Sequence, residues 1–168
     1  MDDHPVYILD SNVFIEAKNR YYAFDIVPGF WQALIDHART GQILSIDRVK
    51  AEIDRGDDDL KAWADSSFNL WFASTDDVEV TDAYRRIIEW ANKEKQFNGP
   101  AKAEISRGDN ADAWLVAYAL SKGCVVVTHE QYDRYTKARI PIPNVCQAFS
   151  VQWVDVYQML RALQVKLG

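Results

Sequence analysis

Cysteine and histidine are scarce in this sequence of 168 residues, which has two of the first and three of the second. A structural zinc site takes about four Cys or His ligands, and a disulfide framework needs several cysteine pairs, so neither is expected here. We interpret Cys124, in an apolar run, and Cys146, beside Val145, as reduced residues of the core. Reduced cysteines are typical of the cytoplasm, where we expect the protein to reside.

Long hydrophobic runs and an excess of positive charge are also missing. No apolar run approaches the roughly 20 residues that a membrane span needs, and no basic segment leads into an apolar one near residue 1, so we expect no membrane association. The net charge of -6 argues against a protein that coats nucleic acid non-specifically. The negative charge does not exclude a nucleic-acid enzyme, because a metal-dependent site concentrates carboxylates that bound cations would neutralise.

The sequence has enough apolar residues for the core of one ordinary domain, at 48% hydrophobic and 12% aromatic. We therefore predict a single domain over residues 1–168. Short apolar runs at residues 6–9, 43–46 and 124–127 predict buried strands, and amphipathic helices alternate with them. This alternation predicts an α/β fold with a mainly parallel sheet. Residues 98–108 are expected to form a mobile loop, and residues 145–149 a further short strand.

Asp10 directly follows the first predicted strand, and Ser11 and Asn12 follow it as candidate caps of the next helix. Open α/β sheets place their ligands and chemistry at the carboxyl ends of strands. An acid after a strand also serves often as a simple turn or cap residue. For Asp10 alone the two interpretations have about equal weight.

Three more acids occupy comparable places. Glu52 lies on or beside the buried stripe of a short helix after the second strand, and Glu130 lies just beyond the third strand. Asp112 falls in the first turn of a strong helix over residues 111–122, where compensation of the helix dipole is the alternative explanation. Glu130 and Asp10 should converge at one edge of a parallel sheet, and the helices bring the other two acids there.

Four carboxylates gathered without matching cations would repel one another strongly, which favours a metal site over four separate structural roles. All-oxygen ligands indicate magnesium or manganese. A single histidine, His129, lies beside Glu130, and such a residue more often faces solvent or makes a hydrogen bond than binds a metal.

Taken in this order, the motifs resemble those of the PIN domain, a family of metal-dependent nucleases that includes bacterial toxins of toxin-antitoxin pairs. The sequence Leu-Asp-Ser-Asn at residues 9–12 is similar to the first motif, and Val-Lys-Ala-Glu-Ile at 49–53 to the second. Residues 110–117, with Asp112, resemble the third, and Val-Val-Thr-His-Glu at 126–130 resembles the fourth. The resemblance implies a three-layer α/β/α domain.

The fourth motif departs from the family's pattern, which usually offers Asp after Thr-Asn or Thr-Asp. Here Glu130 follows Thr128 and His129, and Asp133, one helical turn further on, is the alternative fourth acid. The resemblance implies that Asp10 and two other acids, Glu52 and Asp112, hold a first Mg²⁺ or Mn²⁺. Glu130 or Asp133 would complete a second ion site through water.

The resemblance further implies an endoribonuclease that cleaves RNA and that serves as the toxin of a toxin-antitoxin pair. Ser11 and Asn12 would make hydrogen bonds to the metal ligands. RNA is then the substrate, and a protein antitoxin and a second copy of the chain are candidate partners. Two alternatives stay open at this point: a catalytically silent PIN-like module that binds a partner, and a DNA-directed nuclease of related fold.

Overall fold

One five-stranded sheet, with every strand parallel to its neighbours, forms the centre of the computed structural model, which describes residues 4–168. Its strands are β1 (Tyr7–Leu9), β2 (Ile43–Ile46), β3 (Phe72–Ala73), β4 (Val125–Val127) and β5 (Trp153–Val154). They lie in the order β3-β2-β1-β4-β5. The predicted α/β fold with a parallel sheet is confirmed.

The helices of the described residues connect the strands and close the chain. They are α1 (Ser11–Glu16), α2 (Pro28–Arg39), α3 (Asp47–Asp54), α4 (Asp59–Trp63), α5 (Val78–Lys93), α6 (Gly99–Ile105), α7 (Asp112–Lys122), α8 (Ile142–Ala148) and α9 (Val156–Ala162). A π-helical turn, Ala17–Tyr21, extends α1, and another, Ala64–Phe68, extends α4. The sequence predicted that α7 ends at Gly123, and this glycine has the left-handed φ of 74° that lets it cap the helix.

The strand order explains the layers. Connections between parallel strands are right-handed, so the helices that lead from β1 through β2 to β3 lie on one face. The chain then crosses the sheet to β4 and β5, and the helices of those connections lie on the other face. The packing of α1 on α3, and of α7 on both α5 and α8, agrees with this three-layer arrangement.

The central strands β1 and β4 are covered on both faces, as their unbroken apolar sequence predicts. Ile8, Leu9, Val126 and Val127 are fully buried. From β1 the chain adds β2 and β3 on one side of the sheet, and it then adds β4 and β5 on the other side. In open parallel sheets this switch point is where a crevice opens beyond the carboxyl ends of the strands, and Asp10 follows β1 at this place.

Two local predictions were wrong. The expected loop at residues 98–108 contains α6, whose first turn is capped by Asn98 through a 2.9 Å bond from the Ala101 amide. The expected strand at residues 145–149 belongs to α8 instead, since Val145 bonds back to the Pro141 carbonyl. Prolines at the start of a helix are tolerated because the amides there have no helical partner. Over residues 4–168, no helix combines the length and apolar character needed to cross a membrane.

Candidate active site

Asp10 is buried beyond the end of β1, with only 2% of its surface exposed. Its backbone amide donates to the carbonyl of Val127 over 3.0 Å, which fixes it beside β4. Its two carboxylate oxygens receive hydroxyl donors: Oδ2 from Thr128 at 3.1 Å and Oδ1 from Ser11 at 3.4 Å. Ser11 thus contacts Asp10 through its side chain, whereas the exposed Asn12 contributes a backbone hydrogen bond. Neither residue caps α1 as expected, because both lie within the helix and Asp10 is at its N-cap position.

The surroundings of Asp10 favour a proton on its carboxyl group. The pKa of Asp10 is raised from 3.8 to about 6, mainly by burial and also by the negative charge of Glu52, while the hydrogen bonds from Thr128 and Ser11 oppose the shift. A carboxylate in such a place is poised to exchange its proton for a metal cation, because a cation would offset both unfavourable effects.

Glu52 and Asp112 come to the same place from two helices. Glu52, on α3, accepts a 3.1 Å hydrogen bond through Oε1 from the backbone amide of Ala111, which ties α3 to the start of α7. Asp112 lies in the first turn of α7, and its amide donates to the side chain of Asn110 over 2.8 Å. Burial, and then the charges of Asp10 and Glu52, raise the pKa of Asp112 from 3.8 to about 7. Three carboxylates from separate elements therefore interact at the carboxyl edge of the sheet.

Glu130 lies at the same edge but has a cationic partner of its own. Its amide donates to the hydroxyl oxygen of Thr128 over 3.1 Å, and its Oε2 accepts from the amide of Ile142 at 3.4 Å. Its other oxygen pairs with the guanidinium of Arg139, and the glutamate side chain is only 11% exposed. The charge of Arg139 also lowers the pKa of Asp112, so this cation interacts with both Glu130 and Asp112.

Asp133, the alternative fourth acid, is not on a helix. Residues 129–141 form an irregular segment, so the expected helical turn after β4 was wrong. Oδ1 of Asp133 accepts from the amides of Tyr135 at 2.9 Å and Thr136 at 3.1 Å, and its carboxylate closes the turn in which it lies. His129 lines the cleft beside Glu130.

The donor set fits a hard divalent cation by its chemistry. It consists of carboxylate oxygens whose mutual repulsion a cation would relieve, and such oxygens suit Mg²⁺ and Mn²⁺. In the described part of the chain, no three Asp, Glu, His or Cys side chains lie close enough to share a metal ion. The three acids therefore interact electrostatically but lie further apart than ligands of one ion do.

Sequence reasoning missed three residues around these acids. Thr128 was part of the fourth motif, but only the pairing of β1 with β4 shows that its hydroxyl reaches Asp10. Glu104 gave no sequence signal because it lies in the predicted loop at residues 98–108, and no motif marked Arg139. Both line a small cleft of about 20 Å³ with Asp112, and the charge of Glu104 adds to the shift in its pKa.

The sequence profile of the family DUF4411, described as a domain of unknown function, matches residues 7–167. The chain belongs to the DUF4411 family. Comparison of this DUF4411 chain with curated proteins finds no significant sequence match.

Solved structures show what the DUF4411 fold is similar to. VapBC2 from Rickettsia felis, bound to a DNA fragment from its promoter, aligns over 89% of this chain and 98% of its own, with 14% identity and a TM-score of 0.54. FitAcB from Neisseria gonorrhoeae aligns over 88% and 96%, with 15% identity and a TM-score of 0.53. VapBC-1 from nontypeable Haemophilus influenzae aligns over 89% and 97%, with 18% identity and a TM-score of 0.50. The predicted PIN-like fold is confirmed.

Proposed function

We propose that this chain is a metal-dependent endoribonuclease that hydrolyses phosphodiester bonds of RNA. The observation that carries the proposal is the meeting of Asp10, Glu52 and Asp112 at the switch point of the sheet. Separate structural roles do not explain why three acids from three elements meet at one edge of the sheet, where the pKa values of Asp10 and Asp112 are raised. A divalent cation bound between them does.

Asp10, Glu52 and Asp112 would hold the first Mg²⁺ or Mn²⁺, and Glu130 would complete a second site through water. Such ions, when bound, activate a water molecule and stabilise the leaving oxygen of an in-line displacement. The protein's own part is to orient these acids. Thr128 donates to Asp10 and accepts from the Glu130 amide. Groups that fix metal ligands in this way commonly set metal affinity.

A role as the toxin of a toxin-antitoxin pair, with a protein antitoxin as partner, belongs to the same proposal. Its support is the likeness of the fold to the VapBC and FitAcB structures. Growth of a bacterial host that expresses the chain alone tests this role. Growth arrest by the wild type, relieved by Asp10→Asn, is the expected result, and normal growth with abundant, folded wild-type protein would contradict it.

The catalytic proposal is tested with purified protein on RNA and DNA of the same base sequence, in chelator and with added Mg²⁺ or Mn²⁺. Cleavage of RNA that requires the metal, and that Asp10→Asn abolishes, is expected. Undiminished cleavage in excess chelator would overturn the metal mechanism. Preferential cleavage of DNA would indicate a DNA-directed nuclease, and no cleavage of either would indicate a silent partner-binding module.

A further inference from the structure

A groove beside Glu130 collects three exposed tyrosines from three different elements. It consists of two adjoining clefts, of about 380 Å³ and 340 Å³, which share His129, Glu130 and Tyr157. Tyr21, at the end of the π-helical turn after α1, lines the first cleft, and Tyr132, in the segment after β4, lines the second. We call Tyr21, Tyr132 and Tyr157, with His129 and Glu130, the tyrosine groove.

The three tyrosine rings are available for contact with a ligand. They are 52%, 43% and 40% exposed in the order Tyr21, Tyr132, Tyr157. Within residues 4–168, none of the three packs its ring on another aromatic ring, whereas Tyr22 stacks on Phe30 with ring centres 4.4 Å apart. Single exposed aromatic residues need no explanation. Three that share one groove with a proposed metal ligand indicate a binding surface.

Three acids line the tyrosine groove, and two of them are paired with arginines. Glu16, in the first cleft, pairs with Arg20 at 3.2 Å, and Glu130 pairs with Arg139. Asp155, in the second cleft, accepts from the amide of Gln158 at 2.8 Å as the cap of α9. Each acid is thus already engaged. The side chains of Arg20 and Arg139 are 68% and 57% exposed, so both cations beside these acids are accessible to the phosphates of a nucleic acid.

We propose that the tyrosine groove binds unpaired nucleobases next to the cleaved phosphate, with successive bases stacked on Tyr21, Tyr157 and Tyr132. The inference rests on the proposed function, because Glu130 belongs to both the groove and the proposed metal site. Aromatic rings provide stacking surfaces for bases of any sequence, while amide side chains bind base edges. Asn12 in the first cleft, and Gln131 and Gln158 in the second, offer such amides.

The experiment measures binding of a short fluorescent single-stranded RNA by anisotropy, in the Asp10→Asn background so that the RNA stays intact. Tyr157→Leu and Tyr21→Leu should each raise the dissociation constant about tenfold, whereas Tyr157→Phe should not. Tyr135→Leu is the matched control, since Tyr135 is 75% exposed and lies outside the groove. An RNA without bases at the cleavage site should bind wild type and Tyr157→Leu equally.

In active protein the same leucine variants should raise KM for RNA and leave kcat within about twofold, because stacking on bases that do not take part in the reaction contributes uniform binding. If the wild type cleaves RNA but the leucine variants bind it as tightly as Tyr135→Leu does, the groove proposal is overturned and the nuclease proposal stands. If the leucine variants lose RNA binding while the chain cleaves no nucleic acid, the groove is supported and the nuclease is overturned.

Discussion

The hydroxyl group of Thr128 donates a 3.1 Å hydrogen bond to Oδ2 of Asp10 and accepts one of the same length from the amide of Glu130. This contact exists because β1 and β4 are paired with Leu9 beside Val127. The residues that follow the two strands, Asp10 after β1 and Thr128 after β4, therefore lie at the same edge of the sheet. One hydroxyl thereby joins two of the proposed metal ligands.

The first prediction concerns Thr128→Val, which keeps the shape of the side chain and removes this hydroxyl. The pKa of Asp10 should rise further, because the hydrogen bond from Thr128 lowers it. We expect the metal concentration that gives half-maximal RNA cleavage to increase about tenfold or more, and the free energy of unfolding to fall by about 1–2 kcal/mol. Metal titrations and urea denaturation measure the two effects. Thr128→Ser, which retains the donor, is the control, and equal behaviour of both variants would contradict the prediction.

The second prediction concerns Asp10→Asn, which removes a negative charge from the centre of the site. Metal-dependent cleavage should fall by orders of magnitude. Without metal, the variant should unfold at the same temperature as the wild type or higher, because burial and the nearby Glu52 disfavour the charged form of Asp10. Thermal unfolding in chelator at neutral pH tests this point. A marked loss of stability would mean that Asp10 is primarily a structural residue.

The third prediction follows from the raised pKa values of Asp10, about 6, and Asp112, about 7, against an ordinary value of 3.8. Between pH 3.8 and about pH 7 these two groups bind more protons in the folded chain than in the unfolded chain. They therefore make the metal-free protein less stable as the pH rises. Their effect is complete once the pH exceeds both folded-state values. We therefore expect the unfolding temperature in chelator to decrease from about pH 5 to about pH 8.

The control for this pH dependence is the double variant Asp10→Asn and Asp112→Asn, in which the decrease should be much smaller. Saturating Mg²⁺ or Mn²⁺ should also oppose the decrease in the wild type, since metal binds the ionised carboxylates more tightly at higher pH. A wild type and a double variant with the same pH profile would show that the pKa values of the two acids are not raised in the folded protein.

The residues of the site could be predicted from the sequence to different extents. Asp10 was predictable because a buried apolar strand must end at an edge of the sheet, and an acid placed there lies where parallel sheets bind ligands. Spacing alone could not identify Glu52 and Asp112 as residues of the site. An acid in a helix often only faces solvent or compensates the helix dipole. Their approach to Asp10 depends on the packing of α3 and α7 against the sheet, which local patterns do not encode.

The segment after β4 could not be predicted from local patterns. Its charged and aromatic residues have no helical or strand period, and its conformation is set by distant contacts. One example is the pair of hydrogen bonds between Asn144 and the backbone of Asp133, at 3.0 and 2.7 Å. The position of Arg139 next to Glu130 is another consequence of this segment. The two-residue strands β3 and β5 were missed because they are too short to show alternation.

The last prediction decides between Glu130 and Asp133 as the fourth acid. The Glu130 side chain is nearly buried at the edge of the sheet and shares Arg139 with Asp112 as an electrostatic partner. Asp133 is exposed, and its Oδ1 is engaged with two backbone amides of its own turn. Glu130→Gln should therefore raise the metal concentration needed for cleavage far more than Asp133→Asn does.

Both variants need full titrations with Mn²⁺, because an ion held mainly through water loses affinity before the maximal rate declines. Arg139→Gln separates the two roles that Glu130 could have. If Glu130 binds metal, removal of the competing guanidinium should lower the metal concentration required, and Glu130→Gln should still raise it. If Glu130 serves only as the partner of Arg139, both substitutions should reduce the unfolding temperature equally and leave the metal titration unchanged. A larger effect of Asp133→Asn on that titration would move the fourth ligand into the segment after β4.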